Sequence, residues 1–274
     1  MTLTDLNMVP GSVIFFDKSL KNAASKCRNA VRQGAVLVIT DTPVADELGN
    51  LLPQILVPDA FDACVTVGKF LRKMHKAKVI AIEEKPDRRI LRNILAEVLT
   101  PGYKVLKNTR PVDNRINTLA TIQELTAEHQ IYLQNIRGVN NRYIAKNADM
   151  VAPNIAVVTP IGDEMPAGYT SMKQYETDYM SLAQKTLAAG GMVFVESQDE
   201  LMKKFVSNKR TVTYSLKDKH ADYYLHKKEV GTDTVTYTVV RKSDGEKLVQ
   251  SLPVVFKSSP SYAVVAVAVA DKLK

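Results

Sequence analysis

Glu83-Glu84-Lys85-Pro86-Asp87-Arg88-Arg89 stands where an apolar run meets an amphipathic one, the place where many α/β proteins hold a phosphate. Val79 to Ile82 reads as a buried strand, and Ile90, Ile94, Leu95 and Val98 recur after it at helical spacing. A phosphate loop at this junction needs glycines, so that the backbone can approach the phosphates, and a Lys followed by Ser or Thr for the phosphate and its magnesium. The segment has no glycine and ends on two arginines. It has the outline of a nucleotide-binding strand, loop and helix without the chemistry. Read without that function, Arg88 and Arg89 are a solvated helix start whose charge is offset by Glu83, Glu84 and Asp87.

Other chemistry-bearing residues form no recognisable constellation. Cys27 and Cys64 lack paired spacing and read as buried helix residues, with no zinc site or disulfide framework. His75, His129, His220 and His226 are scattered, none beside a nucleophile or carboxylate partner. Tyr175, Tyr179 and Met180 recur at helical spacing, as a buried helix face does. Tyr223 and Tyr224 suggest an exposed aromatic patch.

The elements that position these residues alternate between strand and helix. Val13 to Phe16 is a strand, Leu20 to Gln33 a helix stopped by Gly34, Ala35 to Thr40 a buried strand, Leu51 to Val57 another apolar run, and Ala60 to His75 a helix. A domain boundary near residue 76 follows. Beyond it come the strand Val79 to Ile82, helices over Arg89 to Leu99 and Asn117 to Glu128, and strands at Ile131 to Leu133 and Ile155 to Thr159. A helix over Tyr169 to Ala188, ended by Gly190-Gly191, leads to the strand Met192 to Glu196. The alternation predicts a mostly parallel sheet with helices on its faces. Val212 to Leu216, Val235 to Arg241 and Leu248 to Phe256 predict an antiparallel extension, with Ser243-Asp244-Gly245 as a hairpin turn. Ala263 to Ala270 suits either a strand or a packed helix. The fold class is therefore α/β: a small N-terminal α/β domain over residues 1–75, and a second domain over 76–274 with flanking helices and that antiparallel extension.

The 274 residues are 45% hydrophobic and 24% charged, an ordinary globular balance with material for two domains. No segment approaches the ~18 consecutive apolar residues of a membrane span, and residues 1–7 lack the basic start and apolar core of a secretion signal. The expected location is the cytoplasm. The formal charge of +8 permits anionic partners. Lys and Arg are spread along the chain without interleaved aromatics, so nucleic acid is not the expected partner.

Val9-Pro10-Gly11 with the strand after it, Val31 to Val38, Ala77 to Leu99, Ala152 to Gly162, Gly190 to Val195, Leu252-Pro253 and the closing alanine-valine segment follow in an order that resembles the Mur ligase family. These are ATP-dependent amide ligases that add amino acids or peptides to the nucleotide-sugar precursor of peptidoglycan. The resemblance implies an N-terminal domain for the nucleotide-sugar over residues 1–75 and a central ATPase-like domain over 76–274; the family's third domain is expected to be missing. It also implies that Glu84 and Asp87 replace the glycines of the phosphate loop, Arg88 its lysine and Arg89 its magnesium-binding threonine. The first magnesium carboxylate falls at Gln134 or Asn135, the metal-binding histidine at Met165, and the carbamylated lysine near Tyr179. Met165 then reads as a packing residue, with Asp163 and Glu164 the nearest carboxylates. Thr4-Asp5-Leu6-Asn7 is the nearest counterpart of the Thr-Asp-Ser-Arg sequence with which relatives touch the uridine nucleotide and departs from it in its last two residues, so the resemblance does not carry the nucleotide-sugar site over intact.

The expectation is a non-catalytic relative without cofactor or metal, acting as partner, scaffold or regulator of a cell-envelope or capsule biosynthesis protein. The alternative is an ATP-dependent amide ligase or transferase with a rebuilt site. That alternative requires carboxylates to converge near residues 83 to 89 and 159 to 165 with room for a ligand.

Overall fold

The computed structural model describes residues 10–16, 22–84, 89–110, 114–162 and 164–274. Thr4, Asp5, Leu6, Asn7, Lys85, Pro86, Asp87, Arg88 and Asp163 lie outside the described residues. In chain order the elements begin β1 (Val13–Phe16), α1 (Ala23–Arg32), β2 (Leu37–Thr40), β3 (Gln54–Leu56), α2 (Ala60–Lys73), β4 (Lys78–Glu83), α3 (Ile90–Leu99), β5 (Val105–Lys107) and α4 (Arg115–Ile122). They continue β6 (Ile131–Asn135), α5 (Tyr143–Val151), β7 (Ile155–Val158), α6 (Met172–Ala188), β8 (Met192–Glu196), α7 (Lys203–Val206), β9 (Thr211–Ser215), β10 (Tyr223–Val230), β11 (Thr234–Arg241), β12 (Lys247–Pro253) and α8 (Pro260–Leu273).

The chain forms two compact units, Met1–His75 with Thr109–Leu125 and Lys76–Asn108 with Thr126–Lys274. The first break falls between His75 and Lys76. The stretch 109–125, which the sequence reading places in the second domain, belongs to the first unit, where α4 packs on α2. Sequence order hides this excursion, because the chain leaves the second unit after β5 and returns for β6.

The first unit is a parallel sheet in the order β1-β2-β3. Its core gathers Ile14, Phe16, Cys27, Ala35, Val38, Val44 and Leu52. Cys27 and Cys64 are both buried, and desolvation pushes each thiol up to about 12, which keeps them inert. Gly34 ends α1 at φ +102°, the left-handed conformation that favours glycine.

The second unit carries nine described strands in the order β12-β11-β10-β9-β8-β7-β4-β6-β5. Every neighbouring pair from β5 through β10 is parallel, and β11 and β12 add antiparallel ladders. The α/β expectation holds, with one correction: the strand beginning near Val212 extends the parallel sheet as β9, so the antiparallel part begins only with β11. The predicted hairpin turn joins β11 to β12, with Gly245 at φ +74°. Ala263 to Ala270 lies inside α8, whose residues Ala263 to Val269 are all buried. Their small side chains let the helix settle closely on α3 and on β9, β10 and β11. Tyr223 is buried rather than exposed, with its hydroxyl donating to Asp271 at 2.7 Å.

The two faces of this sheet differ in chemistry. Ile80, Ile82, Ile131, Leu133, Ile155, Val157 and Phe194 meet Leu91, Ile94, Leu95 and Leu99 of α3 and the apolar length of α8 in one continuous core. The other face is covered by α5 and α6. Leu95, fully buried in that core, is expected to cost about 2–5 kcal/mol of stability when cut to alanine. Urea unfolding of Leu95→Ala checks this, and a change below about 1 kcal/mol would contradict the packing.

Candidate functional site

β4 has β6 on one side and β7 on the other, so the chain order reverses across it. In open α/β sheets ligands bind at the carboxyl ends of strands at such a switch point. Glu83 ends β4 and Glu84 follows it. Strand alternation sends the two carboxylates to opposite faces, Glu84 toward α3 and Glu83 toward α6.

On the α3 side, the helix starts without a cap of its own. Arg89 occupies the N-cap position at φ +44°, with no side-chain bond to the first turn. The exposed N–H groups of that turn are the donors a phosphate would take. Glu84 supplies the acceptor instead: Leu91 N donates to its Oε2 at 3.0 Å, and Asn135 Nδ2 donates to its Oε1 at 2.7 Å. Glu84 thus ties the start of α3 to the end of β6. Gln134 is turned to its neighbours, accepting from the Tyr132 hydroxyl and donating to the Asn135 carbonyl.

On the α6 side, Glu83 is 1% exposed, and both of its carboxylate oxygens lack a hydrogen-bond partner among the described residues. Desolvation, with the nearby Asp178 charge adding to it, holds its carboxyl well above the usual carboxylate range. Its pairing with Arg88, which the sequence suggests, lies outside the described residues. Its main-chain carbonyl accepts from both Thr159 N and Thr159 Oγ1, at 3.0 and 3.1 Å. Tyr179 Oη donates to the Thr159 carbonyl at 2.8 Å, fixing the ring beneath the strand ends.

Asp178 organises the rest of this layer. Its carboxylate accepts from Ile144 N and Ala145 N, each at 3.1 Å, and from Tyr169 Oη at 2.7 Å. The ring centroids of Tyr169 and Tyr175 lie 4.8 Å apart, and those of Tyr175 and Tyr179 5.7 Å apart. The packing reaches Gly138, where an added Cβ would come 2.8 Å from Tyr175 Cε2 and 2.9 Å from Tyr169 Oη. Burial raises all three phenols; Tyr175 is pushed up to about 12.

Glu83, Glu84, Asn135 and Tyr179 thus meet around one set of strand ends, while Met165, 37% exposed, is not the buried packing residue the sequence suggests. Among the described residues no group of three or more His, Cys, Asp or Glu is placed to hold a metal ion. Asp178 and Tyr169 escaped the sequence reading. The signal for Asp178 was present, since an acidic residue stands in the stripe Tyr175, Asp178, Tyr179, Leu182 of an otherwise buried face.

Residues 88–270 match the model of the Mur ligase middle domain. A UDP-N-acetylmuramoyl-tripeptide–D-alanyl-D-alanine ligase of Synechocystis is 27% identical over 133 residues, covering 48% of this chain and 29% of that protein. The fold is similar to that of MurF from Acinetobacter baumannii, with TM-score 0.77 and 17% identity over 97% of this chain and 58% of that one. It is also similar to MurF from Thermotoga maritima solved in complex with ADP, with TM-score 0.79 and 14% identity over 99% of this chain and 62% of that one. The chain spans under two thirds of the length of each of these relatives. No helix among the described residues is long and apolar enough to cross a membrane.

Glu83 gives the site a pH signature. An acid whose native pKa lies above its unfolded value binds more protons when folded, so stability is complete below about 4.5 and falls as pH rises through the window up to the native value. Each unit of that window corresponds to about 1.4 kcal/mol. Glu83→Gln is expected to lose this slope and to gain stability relative to the parent between pH 5 and pH 8. Urea midpoints of both proteins at the two pH values test it, and parallel slopes would exclude a buried neutral Glu83.

Proposed function

The chain belongs to the Mur ligase family, and from that premise we propose that it is a non-catalytic member, a pseudoenzyme acting through protein–protein interaction as partner, scaffold or regulator in peptidoglycan or capsule biosynthesis. The observation that carries this reading is the Glu84 carboxylate on the first turn of α3, with Oε2 3.0 Å from Leu91 N. A phosphate at that turn would have to displace a carboxylate tied also to Asn135. Were both anions to stay, unit charges about 4 Å apart would repel by about 4 kcal/mol near a protein surface, more for a polyphosphate.

The neighbouring residues support the same reading. Gln134 and Asn135 offer neutral oxygens to a cation that prefers anionic ones, and the Tyr179 phenol is committed to the Thr159 carbonyl. The residues present do not fit magnesium-ATP, and phosphoryl-driven amide formation depends on positioned phosphates and metal charge. The carboxylates of Glu83 and Asp178 do converge, but among packed tyrosine rings, which disfavours a rebuilt ligase site. The working location in this proposal is the cytoplasm, where the envelope precursors are assembled, and a nucleotide-sugar is at most a ligand of the first unit.

Isothermal calorimetry with magnesium-ATP is expected to give no saturable heat at millimolar nucleotide, whereas micromolar saturable binding would end the non-catalytic reading. Affinity purification from native cytoplasm is expected to retain a defined envelope-biosynthesis protein in fixed stoichiometry. Recovery of the chain alone under conditions that preserve other complexes would remove the partner role.

A further inference from the structure

At the opposite ends of the strands lies a cavity of about 510 Å³, lined by Lys78, Asn154, Gly190, Gly191, Arg210 and Lys272 together with other residues of the second unit. We propose that it binds a small phosphate monoester. Three basic residues line it from three distant parts of the chain: the first residue of β4, the turn before β9, and the last turn of α8. Its lining includes no Asp or Glu. Among the described residues none of the three cations takes part in a salt bridge. Lys272 is steadied by the Tyr223 ring, with Nζ 5.9 Å from its centroid.

The simplest competing account is that these cations answer helix carbonyl ends, since α5 ends at Ala152, α6 at Ala189 and α8 beside Leu273, all at the cavity. Magnitudes decide between the two. Each helix end carries about half a negative charge, so three contribute about −1.5 against three full positive charges, leaving a surplus of about +1.5. A phosphate monoester carries about −1.5 to −2 at pH 7, which matches that surplus. Arg210 can meet it through two parallel N–H groups, and the lysines act as point charges. The volume falls within the range of small-ligand pockets and leaves space for a sugar on the phosphate. Gly190, at φ +81° with nothing within 4 Å of its absent Cβ, leaves bare backbone beside the opening.

The test uses the full chain at low salt with glucose 6-phosphate, inorganic phosphate and a short DNA duplex as probes, read by calorimetry. Glucose 6-phosphate is expected to saturate at a dissociation constant on the order of 1 mM or below, and to bind several-fold more weakly at pH 5.5, where the monoester has lost charge. Lys78→Gln combined with Arg210→Gln should weaken it at least tenfold. Both residues are exposed, so circular dichroism should report an unchanged fold. Equal binding by the double variant, or saturation by duplex DNA but not by the monoester, would overturn the proposal. Binding of inorganic phosphate as tight as that of the sugar phosphate would overturn the organic ligand, as an adventitious ion only. Because Lys78 and Arg210 are remote from Glu84, the outcome is independent of whether ATP binds.

Discussion

The arrangement of the second unit at its strand ends depends on one carboxylate, that of Asp178. α5 begins at Arg142, in the left-handed region at φ +61° and without a side-chain cap. Its first N–H groups would be orphaned in a buried layer, a loss of about 1–3 kcal/mol for each unsatisfied group. Asp178 reaches across from α6 to take two of them and also takes the Tyr169 hydroxyl. One side chain therefore locks two helices together, sets the tyrosine layer, and places a fixed negative charge near Glu83. Glu84 does the corresponding work for α3. Both helices that would present bare N-termini at this end of the sheet are answered by acids from elsewhere in the unit.

That solution separates stability from the site. The core between the sheet and the helices α3 and α8 is continuous and apolar, and owes nothing to the chemistry of the strand ends. The layer under α5 and α6 is where polar groups are concentrated: Gln134, Asn147, Asp178, Ser181 and the tyrosines are all buried there. A polar layer of this kind is stable only where each buried donor finds an acceptor. That condition is met at the N-termini of α3 and α5 but not at Glu83.

Legibility in the sequence followed the range of the interactions. Strands such as Val13–Phe16 and Met192–Glu196 and the helix Ala60–Lys73 were readable because their signals are local: apolar runs, and for α2 a cap in which Asp59 accepts from Asp62 N at 2.7 Å. α5 was not readable, because its capping acid stands more than thirty positions later in the chain. β10 was also missed. Its His226-Lys227-Lys228-Glu229 stretch has no strand-like alternation, and it is a strand because β11 pairs along it. α8 stayed ambiguous since alanine and valine suit either state, and only close contact with α3 decides for helix. At the site, the sequence placed Glu84 at the junction of strand and helix but not its bonds to Leu91 N and Asn135 Nδ2, which depend on how α3 and β6 pack beside it.

Glu83 and Glu84 are neighbours of identical chemistry with opposite fates, and the two-residue period of the strand is the reason. Glu84 emerges on the side where a helix start and an amide need an acceptor, so both its oxygens are used and its charge is compensated. Glu83 emerges one residue earlier on the side where Asp178 already takes the N-terminal N–H groups of α5 and the Tyr169 hydroxyl, and where a second negative charge is unfavourable. Burial then holds its carboxyl well above the usual carboxylate range, and it is left without a partner among the described residues. A shift of one position would turn Glu84 away from α3 and strip that helix of its cap. The acid that caps α3 and the acid left unpartnered among the described residues are thus set by the same alternation, which ties any change in the β4 register to both.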